Sequence, residues 1–155
     1  MKIVKNKKQV TPIMEDYLEV IGQLLEDDGQ ARVSQISKKL GVSKPTVSET
    51  LGKLKKLNLI KKSPYSQVEL TERGREIAIQ TQSKHDVLIA FLKDVLAVNQ
   101  QIAESEACRI EHNLSRQTVE KLTKFINFFA TDKAIKNKWF KVLKSAKTVL
   151  EVKNV

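Results

Sequence analysis

The segment Cys108-Arg109-Ile110-Glu111-His112 holds the only cysteine of the chain and one of its two histidines. Residues three or four positions apart lie on the same face of a helix, so Cys108, Glu111 and His112 would project together. A thiol, a carboxylate and an imidazole that converge can hold a metal ion. The segment alone leaves a second interpretation open, in which the cysteine is a small buried hydrophobe, the carboxylate is solvated and the histidine only forms a hydrogen bond.

The composition bounds the class of protein that carries these residues. A chain of 155 residues, 41% of them hydrophobic, with 5 Gly and 3 Pro, predicts a helix-rich globular fold of one domain or two small ones. One cysteine excludes an internal disulfide framework and fits a reducing compartment. The lysine-bearing N-terminus lacks the apolar stretch of a secretory signal, and no apolar run has the length of a membrane span. We therefore expect a cytoplasmic protein with no membrane partner.

The chain is strongly basic. With 28 Lys and Arg against 18 Asp and Glu, its formal net charge is +10, which makes a polyanion such as nucleic acid a plausible partner. Many basic proteins bind no polyanion, so the placement of the charges carries more information than their sum.

The first predicted helix begins at Thr11-Pro12, an N-cap followed by a first-turn proline, and runs to about Asp27. Its apolar residues recur at helical spacing and predict one buried stripe. Asp16 and Glu19 lie together beside this stripe. Such a pair is ordinarily solvated, and it gains significance only if something cationic faces it.

A helix-turn-helix is predicted next. Amphipathic helices over Val33–Leu40 and about Lys44–Leu57 are joined by a tight glycine-containing turn. The hydrophobic period then changes from helical to strand-like over Leu59–Lys62 and Gln67–Leu70, two short runs separated by the turn cluster Ser63–Ser66. Because a hairpin directly follows the second helix, this segment is predicted to be a winged helix.

The second half is predicted to be wholly helical, with helices over about 72–96, over about 99–113, after the cap Ser115, and from Asp132 onward. Buried positions are expected at Ile77, Ile79, Val87, Leu88, Phe91, Leu92 and Val95 of the first, and at Trp139, Phe140, Leu143 and Val149 or Leu150 of the last. The third carries Val119, Leu122, Phe125, Ile126 and Phe129, as core or as a subunit interface. The predicted fold is therefore mainly α, with domains over residues 1–74, which begin with a basic arm over residues 1–10, and 75–155.

The recognition helix of the predicted helix-turn-helix carries the candidate DNA contacts. Val47, Leu51 and Leu54 face the core, which leaves the opposite face and the N-terminal turn to enter the major groove. Candidates for base or nearby phosphate contacts are Ser43, Thr46, Ser48 and Glu49, with Pro45 on the same exposed face, and candidates for phosphate contacts are Lys44, Lys53, Lys55, Lys56, Lys61 and Lys62. An ordinary solvated lysine face is the alternative. Glu49 either accepts from a cytosine amino group or repels phosphate and limits non-specific binding.

Five motifs follow one another along the chain: Met14-Glu15-Asp16-Tyr17-Leu18-Glu19, Val42-Ser43-Lys44-Pro45-Thr46-Val47-Ser48, Leu70-Thr71-Glu72-Arg73-Gly74, Lys84-His85, and Ala107-Cys108-Arg109-Ile110-Glu111-His112-Asn113-Leu114-Ser115. In this order and spacing they resemble the diphtheria toxin repressor family of metal-dependent regulators, which includes iron-activated and manganese-activated repressors. The likeness covers roughly residues 11 to 130. Any one motif is modest evidence, whereas the set is specific.

The resemblance implies a homodimer that binds palindromic half-sites of a double-stranded DNA operator. Each subunit would join an N-terminal winged helix to an all-helical metal-binding and dimerisation domain. Carried over position by position, the resemblance puts the metal ligands at Asp16, Glu19, His85, Cys108, Glu111 and His112. The expected function is a transcriptional repressor of metal-uptake genes that a divalent transition metal activates. The chain ends before the SH3-like third domain of longer members, so no ligand from such a domain is expected.

The implied ligand set is mixed. Asp16 and Glu19 resemble the manganese-responsive members, whereas Cys108 resembles the iron-responsive ones, which have methionine where this chain has Asp16. Carboxylates suit Mn²⁺ and a thiolate suits softer metals, so Mn²⁺ or Fe²⁺ is favoured, with Zn²⁺ or Co²⁺ as alternatives. Ile89 stands where the iron-type second site has a carboxylate, so that site is either lost or rebuilt around Glu19 and Glu104.

Two other functions fit parts of the pattern. A winged-helix regulator could sense an organic ligand or a redox signal, with Cys108 as the oxidised group. An enzyme could use Cys108 as nucleophile and His112 as base. No phosphate loop or substrate-pocket motif accompanies that pair, and the helix-turn-helix would stay unexplained, so we expect a protein that is not an enzyme.

Overall fold

The computed structural model describes residues 10–62 and 67–145. Predictions that concern residues 1–9 of the basic arm, the turn cluster Ser63–Ser66 and Val149 or Leu150 lie outside these residues, and Lys62 is described by its backbone alone. The described chain is mainly helical with one small sheet, as the sequence predicts.

Helix α1 (Pro12–Asp28) joins the two halves of the chain. It begins where Thr11 accepts a hydrogen bond from the Met14 amide, and it ends at Gly29, whose φ of 68° lies in the left-handed region that favours glycine. The buried stripe consists of Tyr17, Leu18, Ile21 and Leu24. Because α1 contacts both the helix-turn-helix and the long helix that starts at Glu72, its polar side chains are held between them.

Helices α2 (Val33–Leu40) and α3 (Lys44–Lys56) form the predicted helix-turn-helix. The turn between them contains Gly41 at a φ of 66°, again left-handed. Ser43 caps α3 by accepting from the Thr46 amide. The inward residues Ile36, Val47, Leu51 and Leu54 are buried in the same core as the stripe of α1. The predicted inward face of α3 is thereby confirmed.

A three-stranded antiparallel sheet completes the winged helix, in the order β1 (Ala31–Arg32), β3 (Gln67–Leu70), β2 (Ile60–Lys62). In this sheet Ile60 pairs with Leu70, and Ala31 pairs with Val68. Strands β2 and β3 match the predicted hairpin. Strand β1 carries no sequence signal, because two residues are too few to show an alternating period.

The described part of the C-terminal half contains α4 (Glu72–Ala90), α5 (Gln100–Ile110), α6 (Arg116–Thr131) and α7 (Lys133–Ser145). Helix α4 passes into a π-helical stretch, Phe91–Val95, and α5 passes into a 3₁₀ turn, Glu111–Asn113. The sequence predicts uninterrupted helices in both places, because apolar spacing does not report local hydrogen-bond pattern. None of the helices in the described residues combines the length and the apolar character that a bilayer crossing requires.

Aromatic side chains form a second core among the C-terminal helices. Phe125 and Phe129 of α6 stack with their ring centroids 6.0 Å apart, and Phe140 of α7 meets Phe129 edge-on. Trp139 Nε1 donates to the Val95 carbonyl oxygen at 2.6 Å. The inward direction predicted for Trp139 and Phe140 is consistent with these contacts.

Two predicted inward positions are wrong for the single chain. Ile79 of α4 is 59% exposed and Leu143 of α7 is 36% exposed. Helical spacing identifies an apolar face but not the neighbour that covers it, and no described element of this chain covers these two side chains. On α6, Phe129 is buried whereas Phe125 is 44% exposed, so the apolar face of that helix is partly core and partly uncovered surface.

Candidate metal centre

The candidate centre lies where α1, α4 and the end of α5 meet. Cys108 occupies the last turn of α5, whereas Glu111 and His112 follow that helix in the 3₁₀ turn. The predicted single helix is therefore wrong in detail. Cys108 and Glu111 still project to the same side, as the sequence predicts, because residues three positions apart also lie on one side of a 3₁₀ turn.

Three of the predicted ligands converge directly. One ligand atom from each of Asp16, Cys108 and Glu111 lies within 4.8 Å of the others. Asp16 is partly buried, Cys108 is exposed and Glu111 is completely buried. The thiol and the two carboxylates come from two helical segments that are far apart in the sequence, so the fold builds this cluster.

Both histidines bond to the same carboxylates. His85 Nδ1 donates to Glu111 Oε2 at 2.7 Å, which joins α4 to the end of α5. His112 Nε2 donates to Asp16 Oδ1 at 2.8 Å, and its Nδ1 donates to Glu15 Oε2 at 2.8 Å. A carboxylate therefore lies at each ring nitrogen of His112, an arrangement that favours the protonated ring.

Glu111 carries the most informative atom of the cluster. Its side chain is 0% exposed, and its Oε1 has no hydrogen bond. His112 Nε2 lies 3.4 Å away and already donates to Asp16. A buried carboxylate oxygen without a donor is costly, about 1–3 kcal/mol or more. An unpaired buried oxygen of this kind indicates a binding partner, and carboxylate oxygens bind cations readily.

The pKa values of the acidic groups show that negative charge is crowded here. Burial, reinforced by the charge of Glu111, raises the pKa of Glu19 to about 7. Burial also raises the pKa of Asp16, although His112 opposes the shift. Burial and then the charge of Glu111 raise the pKa of the Cys108 thiol. Each of these groups would ionise more readily beside an added positive charge.

The pKa values of the two histidines are also raised, which favours the charged form of each ring. The hydrogen bond from His85 to Glu111 raises the pKa of that histidine. Burial acts to lower the pKa of His112, but its bonds to Glu15 and Asp16 outweigh burial and raise it. Protonated rings thus supply part of the positive charge that the carboxylates require. The residues present fit a divalent cation, which Asp16, Cys108 and Glu111 would hold together with groups from His85, His112 and Glu19.

Glu15 belongs to the site but is absent from the predicted set. Its carboxylate fixes the Nδ1 side of His112, 97 positions away in the sequence. Metal-binding histidines commonly donate their second ring nitrogen to a carboxylate, so Glu15 orients the ring. The sequence signal for Glu15 is its place next to Asp16. Neighbouring residues of a helix point in different directions, however, so helical spacing does not predict that Glu15 and Asp16 share a partner.

In the described residues, no group of three converging metal-ligating side chains includes Glu19 and Glu104. Glu104 is exposed and accepts a hydrogen bond from Gln100 on its own helix. In the described part of the chain, Asp16, Cys108 and Glu111 are the only group of three metal-ligating residue types whose atoms converge.

The predicted DNA contacts on α3 and at Lys61 of the wing are all exposed. The exposed residues are Ser43, Lys44, Pro45, Thr46, Ser48, Glu49, Lys53, Lys55, Lys56 and Lys61. The hydroxyls of Ser43 and Thr46 lie 2.7 Å apart and are engaged in the helix cap. Glu49 forms an ion pair with Lys53 at 2.7 Å, and this hydrogen bond holds the pKa of Glu49 below its usual value.

Two family models match successive parts of the chain. The model described as "Iron dependent repressor, N-terminal DNA binding domain" matches residues 9–68. The model described as "Iron dependent repressor, metal binding and dimerisation domain" matches residues 71–140. Together they cover the winged helix and the helices that surround the metal-ligating cluster.

Relatives and solved structures agree with these models. The HTH-type transcriptional regulator MntR of Oceanobacillus iheyensis is 32% identical over 136 residues, which are 88% of this chain and 92% of that protein. The HTH-type transcriptional regulator MntR of Bacillus subtilis is 33% identical over 81% of this chain and 88% of its own. The structure of the manganese regulator SloR is 34% identical with a TM-score of 0.67 and covers 81% of this chain. This chain spans only 55% of the SloR chain.

Proposed function

This chain belongs to the iron-dependent repressor family, the diphtheria toxin repressor family of metal-dependent transcriptional regulators, and we propose that a divalent transition metal activates it as a repressor of metal-uptake genes. The observation that supports metal activation most directly is the buried Oε1 of Glu111, which has no hydrogen bond. The proposed ligands are Asp16, Glu19, His85, Cys108, Glu111 and His112. Glu15 serves as the outer partner of His112.

The active species is a homodimer that binds palindromic half-sites of double-stranded DNA. Residues 1–74 form its DNA-binding domain, and residues 75–155 form its metal-binding and dimerisation domain. Ser43, Lys44, Pro45, Thr46, Ser48, Glu49, Lys53, Lys61 and Lys62 contact the operator. The exposed face of α3 supports this assignment, because Val47, Leu51 and Leu54 are buried on the other side.

The ligand side chains connect two parts of the fold. Asp16 and Glu19 belong to α1, which also contacts the helix-turn-helix, whereas Cys108, Glu111 and His112 belong to the end of α5. These residues would hold a cation between them, and its positive charge would keep the two groups together. The carboxylates of α1 would then keep a fixed position relative to the end of α5, which would restrict the motion of the recognition helices and favour the spacing of adjacent half-sites.

Mn²⁺ or Fe²⁺ is the proposed activator. The carboxylates of Asp16, Glu19 and Glu111 suit hard divalent cations, while the Cys108 thiolate raises the relative affinity for Fe²⁺, Co²⁺ and Zn²⁺. The function is regulatory rather than enzymatic, and the protein acts in the cytoplasm, where a single cysteine stays reduced.

The alternatives receive less support from the site. Both ring nitrogens of His112 bond to carboxylates of α1 rather than to the Cys108 thiol, which does not support Cys108 and His112 as a nucleophile and its base. A raised pKa keeps the Cys108 thiol protonated and less reactive, which disfavours a redox switch that works without metal.

Operator binding measured under anaerobic conditions at fixed salt tests the proposal. Wild-type protein and Glu111→Gln are titrated with operator DNA in the presence of Mn²⁺, Fe²⁺, Co²⁺ or Zn²⁺. We expect metal to tighten operator binding by wild-type protein, and Glu111→Gln to lose more than the roughly 10- to 100-fold in metal affinity that loss of an outer partner costs. By linkage, DNA must tighten metal binding by the same factor. Equal operator affinity with and without every metal would contradict the proposal.

A further inference from the structure

Gln23 contacts side chains from three different helices. It lies one turn after Glu19 on α1. Its Nε2 donates to Gln82 Oε1 on α4 at 2.6 Å and lies 3.5 Å from Glu19 Oε1. Its Oε1 accepts a hydrogen bond from Lys39 Nζ on α2 at 3.3 Å. One carboxamide therefore touches a candidate metal ligand, the long helix and the helix-turn-helix.

Both outer partners of Gln23 form a second polar contact. Gln82 Nε2 donates to Asp86 Oδ1 at 2.9 Å along α4. Lys39 also pairs with Asp27 of α1, Nζ to Oδ2 at 3.6 Å. Gln23 thus contacts α4 on one side and α2 on the other.

The contact between Gln23 and Gln82 lies at the wall of a cavity of about 360 Å³ between α1 and α4. Glu19, Gln23, Gln82 and Asp86 line this cavity together with apolar side chains. Glu19 itself is only 9% exposed. Hydrogen bonds in such partly desolvated surroundings are stronger than those in water and hold side chains in defined orientations.

We propose that Gln23 is a positioning residue that orients the carboxylate of Glu19 for metal binding and connects it to the helix-turn-helix through Lys39. This inference rests on the proposed function, in which Glu19 is a metal ligand. A ligating carboxylate has a second oxygen or lone pair, and a donor held in place there limits its rotation. Gln82 keeps the Gln23 amide aimed at Glu19, and Lys39 makes the same amide sensitive to the position of α2.

Two separate effects follow from this arrangement. Loss of the Gln23 amide should weaken metal binding even in the absence of DNA, because Glu19 loses its orienting donor. Loss of Lys39 should leave metal binding to the free protein unchanged but reduce the gain in operator affinity that metal produces, because the connection to α2 is broken.

The test uses Gln23→Met, Gln82→Met and Lys39→Met, which keep side-chain length and remove the polar contacts. Gln80→Met is the matched control, since Gln80 is exposed on α4 two residues from Gln82. Calorimetric titration with Mn²⁺ alone gives the metal affinity, and operator titration with and without Mn²⁺ gives the metal-dependent gain. Thermal unfolding of the metal-free variants reports folding.

We expect Gln23→Met and Gln82→Met each to lower Mn²⁺ affinity about tenfold or more, and the double variant to lower it little further, because the two residues act as one unit. Lys39→Met should keep the wild-type Mn²⁺ affinity and lose a large part of the metal-dependent gain. If Gln23→Met fails to fold, Gln82→Met carries the same expectation.

Wild-type Mn²⁺ affinity in both Gln23→Met and Gln82→Met would overturn the inference, as would a lowered melting temperature with unchanged affinity, which indicates a purely structural role. Glu111→Gln separates this failure from failure of the proposed function. If Glu111→Gln loses Mn²⁺ while Gln23→Met does not, only the positioning role of Gln23 is wrong. If Glu111→Gln binds Mn²⁺ normally, the metal site itself is wrong.

Discussion

Glu111 combines complete burial with an oxygen that has no hydrogen bond. Removal of a carboxylate from water without a partner destabilises a fold, and most proteins avoid it. The nearby histidines compensate only in part, because His85 donates to the other oxygen and His112 donates to Glu15 and Asp16. The metal-free site is therefore prepared for a cation at some cost in stability.

Cys108 is the residue expected to set metal preference. Replacement by a carboxylate, Cys108→Glu, removes the soft ligand, so we expect the ratio of Zn²⁺ affinity to Mn²⁺ affinity to fall by about tenfold or more. Competition titrations with a chelating indicator measure this ratio. Cys108→Ser serves as the control, since it removes the thiol without adding charge, and an unchanged ratio in Cys108→Glu would show that the thiol is not a ligand.

Metal affinity should rise with pH. Burial and the charge of Glu111 raise the pKa of Glu19 to about 7 and raise the pKa of Cys108. The bond to Glu111 raises the pKa of His85, and the bonds to Glu15 and Asp16 raise the pKa of His112. A group with a raised pKa still holds its proton at a pH where the free group has lost it, and a ligand must lose that proton to bind metal. Affinity should therefore increase from pH 6 to pH 8, with protons released on binding.

Calorimetry in two buffers of different ionisation enthalpy measures these protons directly. The share of these protons that comes from His85 is measured with His85→Gln, which should release fewer protons than the wild type. A metal affinity that stays flat across this range would show that the raised pKa values do not belong to ligands.

Helix α1 and helix α4 are the elements that bring the site together. Helix α1 packs against α4, and its Glu15 and Asp16 bond to His112 in the 3₁₀ turn after α5, while its apolar stripe packs in the core of the winged helix. Helix α4 starts directly against the wing. Leu59 O accepts from the Thr71 amide, and a Cβ on Gly74 would lie 2.0 Å from the same oxygen.

The close approach at Gly74 predicts a severe effect of Gly74→Ala. The added methyl group must displace either the start of α4 or the backbone at Leu59, which should destabilise the fold by about 3 kcal/mol. Urea unfolding of the metal-free protein measures the change. Gly52→Ala is the control, because a Cβ there meets nothing within 4 Å and should stabilise α3 by about 0.5–1 kcal/mol. Equal stability of the two variants would contradict the assigned contact.

At the scale of the whole molecule, the charged side chains behind the net charge of +10 are unevenly distributed. Acidic side chains from α1 and from the turn after α5 meet at the metal centre, whereas exposed lysines lie on α3, at Lys61 of the wing, and on α6 and α7. This separation suits a protein that holds a cation inside and meets a polyanion outside. Glu49 is the exception on α3, and its ion pair with Lys53 neutralises it in the absence of DNA.

The salt dependence of operator binding tests the role of the exposed lysines. Each phosphate contact contributes about one unit to the slope of log affinity against log salt concentration. Lys61→Ala should weaken binding to specific and non-specific DNA alike and reduce the slope by about 1. Lys124→Ala, an exposed lysine of α6, should leave the slope unchanged. The same slope for Lys61→Ala and wild type would show that Lys61 of the wing makes no phosphate contact.

The sequence by itself determined the local elements and the types of ligand. Caps such as Thr11 and Ser43 and the period change after α3 are signals carried by residues a few positions apart, so the winged helix followed from them. The tertiary structure alone decided that Glu111 is completely buried, that Glu15 holds His112, and that Gln23 touches three helices. Such contacts join residues as many as 97 positions apart, and they depend on how α1, α4 and α5 pack, which no local pattern encodes.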